Sequence, residues 1–163
     1  MNIQKFTQKS LEALQEAQSV ASRNSNQAVD QEHLLFALLK QENGLIPQLF
    51  LKMGADPQSI ADSAENAVNA LPKVQVGGRE QGSVYISSEL DKALAEAEAQ
   101  AARMKDEYVS VEHIVLGIME APNKAVGEIL KAFNITKSKF LSALQEVRGS
   151  AVSYTHLRAH ETC

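Results

Sequence analysis

One cysteine, no tryptophan and four prolines in 163 residues deprive several protein classes of their raw material. The single cysteine is the last residue, Cys163, so neither a disulfide framework nor a cysteine-based zinc site can be built. That usage suits a reducing, cytoplasmic compartment. Long apolar runs are missing too: "HLLFALL" (33–39) falls far short of the about 20 residues that span a bilayer. The opening "MNIQKFTQKS" is polar and has no apolar stretch of the signal-peptide kind. There is no basic excess, since 16 Lys and Arg face 20 Asp and Glu for a net charge of −4. A phosphate-binding surface needs a basic footprint, so neither nucleic acid nor membrane is an expected partner. No G-x-S-x-G elbow occurs, and "GGREQGS" (77–83) lacks the Gly-Lys-Ser/Thr ending of a phosphate loop. The chain alone is expected to hydrolyse nothing, to carry no cofactor and to be a monomer.

What is present is a duplication. The chain is 44% hydrophobic and 22% charged, the balance of a globular domain that buries its core without staples. "VDQEHLLFALL" (29–39) returns eighty residues later as "VSVEHIVLGIM" (109–119), which sets Val29, Glu32 and His33 on Val109, Glu112 and His113. The same offset sets Ala13, Leu14 and Ala17 on Ala93, Leu94 and Ala97, and Leu49 and Phe50 on Ile129 and Leu130. Gly54 meets Asn134, the two residue types that best tolerate a left-handed helix end. Asp56 meets Thr136, both good N-caps, with Pro57 at the favoured first position in the first copy. The leading "FT" (Phe6, Thr7) meets "YIS" (85–87) only after a shift of one residue.

Helical periodicity runs through both copies. The spacing predicts helices over roughly 7–23, 30–41, 46–53 and 57–70, then 87–105, 110–121, 123–133 and 136–148. No segment alternates as a strand. The expected fold is all-α, eight helices as two pseudo-twofold four-helix repeats packed into one domain. Repeat one covers 1–70, a Gly-containing linker 71–86 and repeat two 87–150. The last thirteen residues, "AVSYTHLRAHETC" (151–163), have no partner in repeat one and resemble a translated cloning adapter or a disordered tail.

The paired histidines invite a metal or acid–base reading. Asp30 and Ser110 are plausible N-caps, which puts His33 and His113 at the third helical position and Glu32 and Glu112 beside the positive end of the helix dipole. A shared site would need further converging ligands that no spacing supplies, so the two are expected as structural cap-and-core residues. His156 and His160 have the i,i+4 spacing of a zinc pair but lie in the tail.

"FTQKSLEALQEAQSVA", "VDQEHLLFALL", "LPKVQVGG" and "YISSELDKALAEAEAQA…YVSVEHIVLGIM" together resemble the doubled N-terminal domain of Clp/Hsp100 chaperones, over residues 1–150. "ALPKV" followed by glycines is most similar to the ClpB-type disaggregases. The resemblance implies a substrate-recognition module that binds unfolded or aggregated polypeptide and delivers it to a hexameric AAA+ ring. ATP and Mg would belong to those further modules, and an Hsp70-type system would cooperate. The alternative is an adaptor-docking domain of a protease-linked ClpA/ClpC-type unfoldase. It also implies that Thr7, Asp106 and Glu112 occupy positions tied to substrate handling beside an apolar groove. Leu94, as a partly exposed floor residue, and His113 align with groove-lining positions.

Overall fold

In a computed structural model that describes residues 3–74 and 84–162, with side chains through Gly149, the chain is all-helical. After a short 3-10 turn at Ile3–Lys5 come α1 (Gln8–Arg23), α2 (Gln31–Lys40), α3 (Leu45–Lys52) and α4 (Pro57–Asn69). The second copy supplies α5 (Ser88–Arg103), α6 (Val111–Glu120), α7 (Lys124–Ala132) and α8 (Lys137–Thr162).

Most helices begin at a residue whose side chain caps them; α3 starts after Gly44 without such a bond. Thr7 and Ser87 open α1 and α5 with side-chain oxygens that accept from Ser10 N–H and Leu90 N–H. Asp56 accepts from Gln58 N–H ahead of Pro57, and Thr136 accepts from Lys139 N–H at 3.2 Å in the matching place. Stops repeat as faithfully. Ser25 and Lys105 take left-handed φ of 58° and 59° after α1 and α5, while Gly54 (82°) and Asn134 (55°) do so after α3 and α7.

Two expectations change. The segments ahead of the helices form short strands, β1 (Ala28–Val29) and β2 (Tyr85–Ile86), paired in parallel with Val29 opposite Ile86. They are two residues long, too short for alternation to register in sequence. Their mirror is a bridge between Phe6 and Val109. Thr7 N–H donates to Val109 O at 3.1 Å, and Ser87 N–H donates to Val29 O at 3.0 Å. Phe6 therefore corresponds to Ile86 and Thr7 to Ser87 at the common offset of eighty, and no one-residue shift is needed. Also, α8 runs to Thr162 instead of stopping near 148. No proline interrupts 149–162, and a nucleated helix gains one hydrogen bond per added residue. The glycine-rich part of the linker (75–83), the His156–His160 side chains and Cys163 lie outside the described residues.

The two repeats interlock instead of standing side by side. α1 packs on α2 and α5 on α6, but α3 also packs on α8 and α4 on α7, across the repeats. Phe50 of α3 meets Phe140 of α8 edge to face, ring centroids 6.2 Å apart. One apolar cluster, from Phe6 through Leu144, runs through both halves.

Gly117 of α6 sets the closeness of the α5–α6 pair. A Cβ there would lie 2.2 Å from Ala93 O and 2.7 Å from Ala97 N, both backbone atoms of α5. Gly117→Ala is expected to destabilise by about 2 kcal/mol, as overpacking does, despite alanine's better helix propensity. Gly127→Ala, whose Cβ would meet nothing nearer than Pro122 at 3.7 Å, is expected to stabilise by roughly 0.5–1 kcal/mol. Chemical denaturation of both variants checks the contrast; a neutral Gly117→Ala would mean the helices can part freely.

Candidate functional site

The two histidines close capping boxes of the same design. His33 Nδ1 accepts from Asp30 N–H at 2.9 Å, and His113 Nδ1 accepts from Ser110 N–H at 2.8 Å. With Nδ1 accepting, each ring proton sits on Nε2. His33 Nε2 donates to Asn26 Oδ1 at 2.8 Å, and His113 Nε2 to Asp106 Oδ2 at 2.7 Å. Asn26 and Asp106 stand eighty residues apart, so the same hydrogen bond is made to a neutral amide in repeat one and to a carboxylate in repeat two. Both rings are fully buried. Burial holds the His33 imidazole below its ordinary range, against the opposing pull of Asp30.

A polar knot joins the repeats. Gln31, fully buried, donates through Nε2 to Glu89 O and Ala121 O at 2.9 and 2.8 Å, and its Oε1 accepts from Asn123 N–H at 2.8 Å. Asn123, the N-cap of α7, donates from Nδ2 to Glu32 Oε1 at 2.6 Å. Burial pushes the Glu32 carboxyl up, and the Asn123 bond offsets only part of the rise.

Repeat two carries a charged cluster in addition. Arg148 of α8 reaches Asp106 Oδ2 at 2.9 Å and Glu112 Oε2 at 3.0 Å through the same Nη2. Burial would raise the Asp106 carboxyl, but hydrogen bonds from Arg148 and His113 outweigh it and hold Asp106 below the usual carboxylate range. The space between the carboxylates is filled by a cation. Among the described residues no group of three or more His, Cys, Asp or Glu could hold a metal ion.

An open apolar groove lies along α1. A groove of about 320 Å³ is lined by Leu11, Leu14, Gln15 and Gln18 of α1, with Val29, Ile86, Leu90 and Ile3 completing it. No lining residue is charged. Its floor includes the Val29–Ile86 pair, so the backbone pairing that locks the repeats together also builds the groove.

The structure brings Asp106, Glu112 and His113 together around Arg148. It ties Thr7 to them by the Val109 strand, with Thr7 Oγ1 donating to Ser10 Oγ and Ser10 Oγ donating to Val109 O, each at 3.0 Å. Leu94 departs from its expected place. It is 0% exposed, inside the core cluster, and does not line the groove. Its counterpart in repeat one, Leu14, does line it, beside Leu11 and Leu90. His113, equally buried, caps α6 and is not among the residues lining this groove. The sequence reading also passed over Arg148, whose signal was a charge standing opposite Val68, a buried position of repeat one.

These features define a class, a helical domain made from one four-helix repeat used twice and interlocked across its pseudo-twofold axis. Residues 5–133 match the Clp repeat (R) N-terminal domain, and the chain belongs to that family. It is 42% identical over 151 residues to the chaperone protein ClpB of Nitratidesulfovibrio vulgaris, covering 92% of this chain and 18% of that protein. The chain thus spans about a fifth of the length of such relatives. In fold it is similar to the Hsp104 N-terminal domain of Candida albicans, with a TM-score of 0.75, 18% identity, and 90% and 93% of the two chains covered. It is similar also to a ClpV N-domain in complex with a VipB peptide, with a TM-score of 0.62, 19% identity and 80% of each chain covered. Among the described residues no helix is long and apolar enough to cross a membrane.

The depressed His33 makes a pH prediction. The unfolded imidazole takes a proton more readily than the folded one, so this group's stabilisation is full above the unfolded value of 6.5 and is lost as pH falls through it. Glu32, raised, acts with the opposite sign, its folded form favouring the proton. His33→Gln keeps a side chain that can close the capping box and removes the titration. It is expected to be about 1 kcal/mol less stable at neutral pH, for the lost Asn26 bond. From about pH 7.5 to about pH 5.5 its denaturation midpoint should fall less steeply than that of the parent, Glu32 being common to both. Parallel curves would remove His33 as the acid-sensitive group.

Proposed function

We propose that this domain is the substrate-recognition module of a cytoplasmic ATP-dependent disaggregase. It holds uncharged, apolar stretches of unfolded polypeptide in the α1 groove and delivers them to an AAA+ ring. The observation that carries this reading is the open groove lined by Leu11, Leu14, Ile86 and Leu90, with no charge in its wall. An apolar concavity with glutamines at its edge suits a binder of many sequences: burial supplies affinity, and the amides can meet a ligand backbone in either polarity. The peptide held by the ClpV N-domain supports the reading, since this fold there serves as a peptide receptor. The ClpB relatives favour a disaggregase over an adaptor-docking domain of a protease-linked unfoldase. On this reading the nucleotide and Mg belong to the ring, and a hexamer and an Hsp70-type system are the larger partners. Thr7, the N-cap of α1, precedes Leu11 by one turn.

A threading machine must release each segment, so affinity should be weak, with Kd on the order of tens of micromolar to millimolar. Leu14→Gln is expected to weaken binding of a permanently unfolded polypeptide about tenfold, or roughly 1.4 kcal/mol, with the fold intact because Leu14 is half-buried. Leu94→Gln is expected to cost roughly 2–5 kcal/mol of stability, as a buried leucine does. Titration followed by backbone chemical shifts, with a thermal melt of each variant, reads both. Shifts clustered away from α1, or an unaltered affinity in folded Leu14→Gln, would place the site elsewhere.

A further inference from the structure

The repeats differ most in how their last helices are tied down. In repeat one, Val68 of α4 is buried, and Asn24 Nδ2 donates to Val68 O at 3.0 Å and to Asn26 Oδ1 at 2.9 Å. At the matching place in repeat two, Arg148 of α8 inserts a guanidinium between Asp106 and Glu112. The Arg148 side chain is 28% exposed and that of Glu112 only 9%, so this is a largely desolvated pair and not a loose surface contact. A partly buried cation shared by two carboxylates is directional, because the planar guanidinium satisfies both only over a narrow range of helix positions. Asp106 adds rigidity. Its Oδ2 also takes the His113 ring proton, and His113 in turn holds the Ser110 N–H at the start of α6. One continuous chain of hydrogen bonds therefore runs from the cap of α6 to α8.

Position along α8 gives the cluster its consequence. Phe140, Ala143 and Leu144 seat the first turns of α8 in the core, while Arg148 grips it a turn further on. α8 then continues to Thr162. An apolar seat fixes a helix end but leaves its tilt soft, and a second fixed point further along removes that freedom.

We propose that Arg148 is a positioning residue that sets the direction in which α8 leaves the domain, and that Asp106 and Glu112 act through it and not by touching substrate. This rests on the reading of the α1 groove as the substrate site. The groove lining includes neither carboxylate.

The test uses the 163-residue chain and four variants, Arg148→Gln, Arg148→Lys, Asp106→Asn and Glu112→Gln. Asp106→Asn keeps an oxygen for the His113 proton and loses only the charge. Residual dipolar couplings of the α8 amides report its orientation against α1–α7. In the parent chain a single alignment should fit all eight helices. In Arg148→Gln and Asp106→Asn the α8 couplings should shrink by about half, with the other helices unchanged, and Arg148→Lys should restore part of the loss. Affinity for a permanently unfolded polypeptide should stay within about twofold in all four. Unchanged α8 couplings in Arg148→Gln would overturn the proposal, as would a tenfold weaker affinity in Asp106→Asn with α8 still ordered. Failure of the groove reading would appear separately, as unaltered affinity in Leu14→Gln, and would leave the α8 couplings untouched.

Discussion

Everything in this domain depends on a reciprocal backbone exchange. The segment ahead of α1 pairs with the segment ahead of α6, and the segment ahead of α5 pairs with the segment ahead of α2. Each pairing is a few hydrogen bonds long, such as Thr7 N–H to Val109 O and Ser87 N–H to Val29 O. Their strength lies less in their number than in what they close. A repeat of about seventy residues buries too little surface for secure stability, and here neither repeat can satisfy its own lead-in segment. The exchange also drives Phe6, Val29 and Val109 into the core and leaves Ile86 half-buried, and Val29 and Ile86 line the groove floor. Fold and candidate site share one cause.

Duplication explains the architecture, and departures from it explain the asymmetry. The offset of eighty pairs Leu11 with Asp91, Leu14 with Leu94 and Gln18 with Glu98. On α1 the first of each pair makes a neutral, apolar-floored groove. On α5 the same stripe carries two carboxylates beside a leucine that is wholly buried. The matching stripe on α5 is therefore acidic where that on α1 is neutral. At the helix ends Arg148 stands opposite Val68 and Asp106 opposite Asn26, so the bracket is neutral in one copy and charged in the other.

Most of the fold was legible because helix caps and stops are local chemistry. Thr7, Asp30, Asp56, Ser87, Ser110 and Thr136 announce starts, and Gly54 and Asn134 announce ends, without reference to distant residues. The histidines too were readable as caps, since their spacing from Asp30 and Ser110 is a local fact. What escaped was non-local. Two-residue strands carry no period, and the burial of Leu94 depends on how close α5 approaches α6, which Gly117 decides from twenty-three residues away. Leu94, expected partly exposed, is wholly buried instead.

Comparing the copies position by position separates frame from departure. His33 and His113, the same residue in both copies, close the same capping box and serve the shared frame. Where the copies differ in polarity, the frame has no use for the difference, and it marks a place where one copy was free to do something else. Leu11 against Asp91 marks the open groove, and Val68 against Arg148 marks the bracket on α8. Neither comparison needs a structure, since both are single lookups at a fixed offset. Structure supplies the sense of each departure: a leucine left half-exposed on α1 is an invitation to an apolar ligand, whereas an arginine pressed between two carboxylates is already occupied. The neutral stripe thus lies on α1 of repeat one, and the charged bracket lies on α8 of repeat two.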